Sequence, residues 1–540
     1  MDVTEREDAT KNAPMWWGVV RRPEVVLAGF VISLLLVVCF SGVGGWSALT
    51  FSSQTIEPLR GKADVVAKDR LLGGLLSSEF DEHSCLSRYR AVLYRKTSHH
   101  LLSPYLVSKL RKYEALHKKC GPGTPLYKKS LEQLKHNHST ELECNYVFWS
   151  PIAGLGNRML TVTSIFLYAL LTNRVLLIDQ PNDMVDVFCE PFPGTSWVLP
   201  DDFPIKNMWS FHHRTGESYG VMLEKGLIKN DPNVPKESLP SYVYAHLPHD
   251  YNTMSHRLFF CDEDQLVLRK VNWLLIRSDN YFAPGLFMIQ QYEDELRRMF
   301  PIKETVFHHL GRYLFHPSNT VWGLITRYYD SYLAKADERV GVQIRTFFWT
   351  RLSSDDLFEE IIRCAQNEKL LPPVNGTDSQ PSDTEKQRIS KATLVVSLHY
   401  NYYEKMKSMY YEHSTTTGEI VSVYQPTHEG NQQTEKQSHN QKALAEIWLL
   451  SFCDELITTS VSTFGYVSNG LAGLKPLYLA MSAEIDKVPD PPCRRAVSME
   501  PCFHSPPNFD CRTKKDADTG MLVPHVRHCA DVNDGVKLVD

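Results

Sequence analysis

The sequence predicts an α/β protein of two successive parallel-sheet domains behind an apolar N-terminal segment, and three observations carry that prediction. Residues 145–149 read as an apolar-aromatic strand, followed by the glycine loop SPIAGLGNRML, an apolar helix over 160–171 and a strand, RVLLID, at 174–179. That order makes a βαβ unit. Residues 441–453 place Leu444, Ile447, Trp448 and Phe452 at helical spacing, and a buried strand at 455–459 then runs into SVSTFG and an apolar helix over 466–471, which repeats the layout. Further buried strands at 273–277, 338–345, 393–397 and 419–424, with an aromatic-rich helix over 402–411, fill the interval. Two such domains leave a cleft between them, and ligands bind at the carboxyl ends of parallel strands.

Taken in order, the chain of 540 residues carries a net charge of −5, which gives no basic field for nucleic acid and no acidic solvating tail. Residues 1–22 are polar and end in Arg21 and Arg22, and residues 25–40 are apolar apart from Ser33. Extended to residue 49, this run spans a bilayer, with the arginines on the cytoplasmic side. The expected organisation is a cytoplasmic tail (1–22), a transmembrane signal anchor (23–49), a luminal stem and helical lead-in (50–140), a first Rossmann-like domain (141–320), a second Rossmann-like domain (321–480) and a cysteine-rich tail (481–540). A cleaved signal peptide is the competing reading, and it places the bulk of the chain in the same compartment. Cys39 lies in the apolar segment and eleven cysteines follow it. In an oxidising compartment most pair, and the odd count leaves a free thiol, for which Cys453 in its apolar helix is the choice. His504, His525 and His528 among the last four cysteines could form a metal site, but long gaps without CxxC favour disulfides. Asn137 (NHS) and Asn375 (NGT) fit glycosylation acceptors.

The chemistry is read at strand ends. Ser462, Thr463, Phe464 and Gly465 precede a helix whose N-terminus offers unpaired N–H groups to an anion, although an ordinary N-cap reads the same way. Gly154 and Gly156 permit close backbone approach, and Asn157 and Arg158 aim donors at a ligand. Arg345 ends its strand either as a phosphate contact or as a salt bridge. Asp279, Asn280 and Tyr281 occupy another strand end. His428 and Glu429 are candidate contacts for a base, ribose or sugar. Tyr281, Phe282, Trp322, Phe347, Phe348 and Trp349 are either platforms for a ligand or core.

VGVQIR at 340–345, QPTHEG and KQSHNQKA within 425–443, STFGYV at 462–467, CRRAVSMEPCFHSPPNFDC and LVPHVRHC near the end, with GLGNRM, LFFC and DNYF, resemble the plant cell-wall fucosyltransferases of glycosyltransferase family 37. The likeness runs from about residue 71 to 540 and is strongest to enzymes that fucosylate xyloglucan. It implies a variant of the two-Rossmann-domain, GT-B type fold, GDP-L-fucose as donor, α-1,2 transfer with inversion, and no metal or other cofactor. It also implies a single-pass type II Golgi membrane protein with a luminal catalytic part. Under it, Asn157, Arg158, Arg345, His428, Glu429 and residues 462–465 hold the donor, Arg345 stabilises the leaving diphosphate, and Asp279 is the candidate base or, with Asn280 and Tyr281, an acceptor contact. The expected acceptor is galactosyl O-2 of xyloglucan. The alternatives are arabinose on arabinogalactan proteins, a protein O-fucosyltransferase, and a non-catalytic Golgi glycan-binding or complex-organising protein. A homodimer or a complex with other cell-wall glycosyltransferases is also expected, and no nucleic acid.

Overall fold

Strands that are apolar on both faces must be covered on both faces, and helices returning between parallel strands do this. The computed structural model describes residues 69–249, 253–376, 388–480 and 485–540; the expected tail, anchor and first part of the stem lie outside the described residues. The first sheet contains β1 (Asn145–Trp149), β2 (Arg174–Ile178), β3 (Tyr242–His246) and β4 (Trp273–Arg277), all parallel in the order β2-β1-β4-β3. The second contains β5 (Glu338–Ile344), β6 (Ser390–Ser397), β7 (Ile420–Tyr424), β8 (Glu455–Thr459), β9 (Leu477–Leu479) and β10 (Cys493–Arg495) in the order β10-β9-β8-β5-β6-β7, antiparallel only at β10. A hairpin of β11 (Val526–His528) and β12 (Val536–Leu538) closes the chain. Pairs such as Val147↔Leu176 and Val342↔Val395 set the register.

Helix α1 (Leu155–Thr172) follows β1, α2 (Gln437–Leu450) precedes β8, and α3 (Thr463–Ala472) follows β8. Among the described residues α1 is the one helix long and apolar enough to cross a membrane, yet it is enclosed in the core. Helix α2 begins at Gln437 rather than 441, and α1 and α3 also begin earlier than the apolar periodicity indicates, at Leu155 rather than 160 and at Thr463 rather than 466. The first turns of α1 and α3 are polar and glycine-rich because they face a cavity. Five strands escaped the sequence reading: β3, whose YVYAH is short and half aromatic, and the three-residue β9, β10, β11 and β12, which lack enough length to show a period.

Folded structure is already present before residue 140: Leu106, Leu110 and Tyr113 of the helix Pro104–Cys120 are buried in the main core. Five disulfides, Cys85–Cys189, Cys120–Cys144, Cys261–Cys511, Cys364–Cys493 and Cys502–Cys529, leave Cys453 as the buried free thiol. Two of them fasten the C-terminal segment, one to each half of the molecule. The cluster Cys502, Cys529 and Asp531 is therefore a disulfide beside a carboxylate.

Candidate active site

The carboxyl ends of the two sheets open on one cleft of about 480 Å³. From the first half come Gly154, Leu155, Gly156 and Asn157 after β1, His249 after β3, and Asp279 and Asn280 after β4. The second half supplies Gln343, Ile344 and Arg345 at β5, Ser397 and Leu398 at β6, Thr427, Glu429 and Gln432 after β7, Glu446 on α2, and Ser462, Thr463 and Phe464 after β8. His504 reaches it from the C-terminal segment.

Two helix N-termini meet here. Neither Gly154 nor Ser462 caps its helix with a side chain, so the first-turn N–H groups of α1 and α3 remain available to an anion. Each turn is preceded by a non-glycine residue in the left-handed region, Ala153 (φ 61°) and Val461 (φ 65°), a conformation that costs energy for a β-branched side chain. The termini approach each other because position 156 has no side chain: a Cβ there would lie 2.8 Å from Thr463 Oγ1 and 3.0 Å from Phe464 N. Asn157 joins them, accepting from Thr463 Oγ1 at 3.0 Å and donating to the Asp279 carbonyl at 3.1 Å. The Asp531 carboxylate braces the second turn, accepting from Val461 N at 3.3 Å and from the Tyr466 hydroxyl.

Arg345 faces these termini. Its backbone N–H donates to Thr459 Oγ1 at 3.0 Å, and its guanidinium donates to the Gln432 amide at 2.7 Å. Among the described residues it makes no ion pair, and burial alone pulls its pKa below the usual value. A half-buried cation without a carboxylate beside uncapped N–H groups is a site for a polyanion. Across the cleft, Asp279 accepts from the His249 backbone N–H at 2.9 Å and contacts the His249 ring Nδ1. Glu446 is buried on α2, where Thr427 Oγ1 donates to it at 2.6 Å. Burial pushes its carboxyl up to about 7, with the Thr427 hydroxyl holding it down and Glu429 adding to the rise. His504 contacts the Tyr466 hydroxyl at 3.2 Å, and burial holds its imidazole below the usual pKa against the pull of Asp531 and Asp279.

Of the residues singled out from sequence, Asn157, Asp279, Asn280, Arg345, Glu429, Ser462, Thr463 and Phe464 line the cleft. Gly465 sits beneath it, with Gln343 and Thr458 against its Cα. Three assignments are corrected. Arg158 points away from the cleft, donating to the Ala153 carbonyl at 2.9 Å and pairing with Asp183, because successive residues of a helix face different directions and only Asn157 faces the cavity. Tyr281 is buried and donates to Glu500 at 2.6 Å. His428 is exposed and packs edge-to-face on Tyr403 at 5.8 Å, while its neighbour Glu429 is paired with Lys442. Among the supposed platforms, Phe282 and Trp322 are core, whereas Phe347 and Trp349 line the cleft. Asn137 is exposed, and Asn375 is half-buried with its Nδ2 donating to Ser414 Oγ at 3.1 Å.

Sequence reasoning missed His249, Glu446 and His504. His249 was missed with β3: once YVYAH is a strand beside β4, its end lies next to Asp279. Glu446 had a legible signal, a carboxylate among Leu444, Ile447 and Trp448 on an otherwise apolar helix. His504 had none, because no local pattern says where a loop returns.

The profile of the family described as xyloglucan fucosyltransferase matches residues 48–512. The chain is 52% identical to a galactoside 2-alpha-L-fucosyltransferase of Arabidopsis thaliana over 478 residues, 88% of this chain and 84% of that protein. It is 51% identical to a galactoside 2-alpha-L-fucosyltransferase of Pisum sativum over 474 residues, 87% and 82% of the two. The solved structure of a variant of Arabidopsis thaliana FUT1 in complex with GDP superposes with a TM-score of 0.80 at 52% identity, covering 87% of this chain and 100% of that one.

Proposed function

The chain belongs to the xyloglucan fucosyltransferase family, and on that premise we propose that it moves L-fucose from GDP-fucose to O-2 of a galactosyl residue on xyloglucan side chains, inverting the anomeric centre. One observation carries this reading: Arg345, a cation with no carboxylate partner among the described residues, faces two uncapped helix N-termini in a single cleft. Departure of GDP builds charge on the diphosphate, and preorganised cations and N–H dipoles stabilise it without a metal. The fold this reading adopts is a variant of the GT-B type, with both sheets contributing to one cleft.

The strand order supports a layout for the nucleotide. The ends of β8, β5, β6 and β7 lie side by side, so the row spans about 14 Å at the usual strand spacing. The diphosphate sits at the β8 and β5 end, on Ser462, Thr463, Phe464 and Arg345, and the base lies toward Ser397, Thr427 and Glu446. Guanine presents two adjacent N–H donors, which a carboxylate accepts together, and Glu446 is the buried carboxylate in place for them. On the opposite wall Asp279, coupled to the His249 ring, takes the proton of the acceptor hydroxyl.

A secreted fragment of residues 69–540 given labelled GDP-fucose tests the reading. Transfer to galactosylated xyloglucan that is lost in Arg345→Ala supports it. Transfer to arabinogalactan alone overturns the acceptor, and binding of GDP-fucose without transfer to either overturns the enzymatic reading. We also place the catalytic part in the Golgi lumen behind the anchor at 23–49, a reading supported by the five disulfides, which need an oxidising compartment. In sealed Golgi vesicles, protease should spare the body of the full chain until detergent is added; cleavage in intact vesicles excludes this topology.

A further inference from the structure

The rim of the cleft beside Arg345 is aromatic. Residues 347–350 form a turn closed at both ends, with Phe347 N donating to Thr350 Oγ1 at 3.0 Å and Thr350 N donating to the Phe347 carbonyl at 2.9 Å. The turn stacks the rings of Phe347 and Trp349 at 4.8 Å and 4° between planes, and the Arg345 guanidinium lies 5.7 Å over Phe347. Both rings line the cavity and pack on the core of the second half. Phe348 between them packs on nothing: its relative exposure is 101%. The neighbouring loop after β6 repeats the feature. His399, tied to Thr346 Oγ1 at 2.9 Å, is followed by Tyr400, which is 67% exposed.

Core packing explains Phe347 and Trp349 but not Phe348. A fully exposed phenylalanine forgoes the free energy of burial, and this one is held out by a closed turn at the mouth of a binding cleft. An aromatic ring held at the rim of a polar cleft offers its apolar face to a ligand that extends out of the cleft. We propose that Phe348 and Tyr400 form a subsite for the polysaccharide main chain that carries the acceptor galactosyl group, outside the reaction centre and continuous with it. The inference rests on the fucosyltransferase reading and deepens it. The occupant is a chain of β-linked pyranose rings, whose apolar C–H faces lie flat on aromatic rings while their hydroxyls stay in water. Its position follows from β5: the turn begins two residues after the guanidinium that holds the donor diphosphate, so a polymer whose side chain reaches that point passes over the turn.

The experiment compares Phe348→Ala, Tyr400→Ala and Phe348→Trp with the unsubstituted fragment on two acceptors, polymeric galactosylated xyloglucan and an oligosaccharide carrying a single galactosylated side chain. GDP affinity and oligomeric state are measured in parallel. Either alanine variant should raise KM for the polymer roughly fivefold to tenfold, the range of one lost aromatic contact, with kcat, KM for the oligosaccharide and GDP affinity unchanged. Phe348→Trp should restore the polymer KM. An unchanged polymer KM, a loss of GDP affinity, or a shift in oligomeric state without a change in KM overturns the subsite and leaves the functional reading standing. Failure of the unsubstituted fragment to transfer to either acceptor while it binds GDP overturns the functional reading itself.

Discussion

Arg345 shows how little a residue's identity says without its surroundings. At a strand end it could equally close a salt bridge, and what separates the two readings is that, among the described residues, its guanidinium meets the Gln432 amide and the Phe347 ring but no carboxylate. Replacing it with alanine should therefore cost little stability while lowering transfer by roughly 100-fold to 1,000-fold, the loss that follows removal of one charge-stabilising donor; thermal unfolding and initial rates of the same variant check both halves. Glu446 makes a pH-dependent prediction. Its carboxyl ionises as pH rises through about 7, and the charged form accepts the guanine donors, so GDP affinity should rise across that range and fall below it. Glu446→Gln should flatten the profile and reduce the preference for GDP over inosine diphosphate roughly tenfold, the worth of a hydrogen bond to a charged acceptor. Titration calorimetry at several pH values with both nucleotides decides it. Asn157 and Arg158 were indistinguishable in GLGNRM, and the helix turn alone sends one to the cleft and the other to Asp183.

At the scale of elements, the site is made by two strand-to-helix turns that were legible as motifs, although their meeting was not. GLGN and SVSTF lie about 300 residues apart in sequence, and Gly156 is where α1 and α3 touch. A methyl group there meets backbone as well as a side chain, so relaxing one rotamer does not relieve it. Gly156→Ala should push the two N-termini apart, cost about 1–3 kcal/mol of stability as overpacking does, and weaken GDP binding more than Gly154→Ala. At Gly154 the added methyl meets only the Gln432 side-chain amide and Thr434. Denaturant unfolding and GDP binding of the pair measure the difference. The segment before α2 and the start of α2 itself show the same economy: Gln432 reaches Arg345, and Gln437, Asn440 and Gln441 bond to residues 183–186 of the first half.

At the scale of the molecule, the C-terminal segment does more than a cysteine-rich tail need do. It adds β10 to the second sheet, is bonded by disulfides to both halves, delivers His504 to the cleft and sets Asp531 against the turn before α3. It also buries Glu500 against Tyr281 and Phe307 N. Burial pushes that carboxyl up to about 8, with the Tyr281 hydroxyl and the Phe307 N–H holding it down. A carboxyl raised in the folded state from an unfolded value of about 4.3 gives stability that is fully present at low pH and is lost as pH rises through about 8. The melting temperature should therefore drop more steeply between pH 6 and 9 in the native fragment than in Glu500→Gln, and equal slopes would falsify this. The strands of both sheets except β3 and the short β9 and β10, the two strand-to-helix turns, the strand-end Arg345 and Asp279, and the free Cys453 were written in the sequence. Those features are local: a period of apolar residues, a glycine before a helix, an odd cysteine in an apolar stretch. The pairing of Asp279 with His249, the contact of α1 with α3, the direction of Arg158, the burial of Tyr281 and the return of residues 500–531 to the cleft were decided by tertiary structure. Each depends on which residues distant in sequence become neighbours in space, and one chain's local patterns do not encode that.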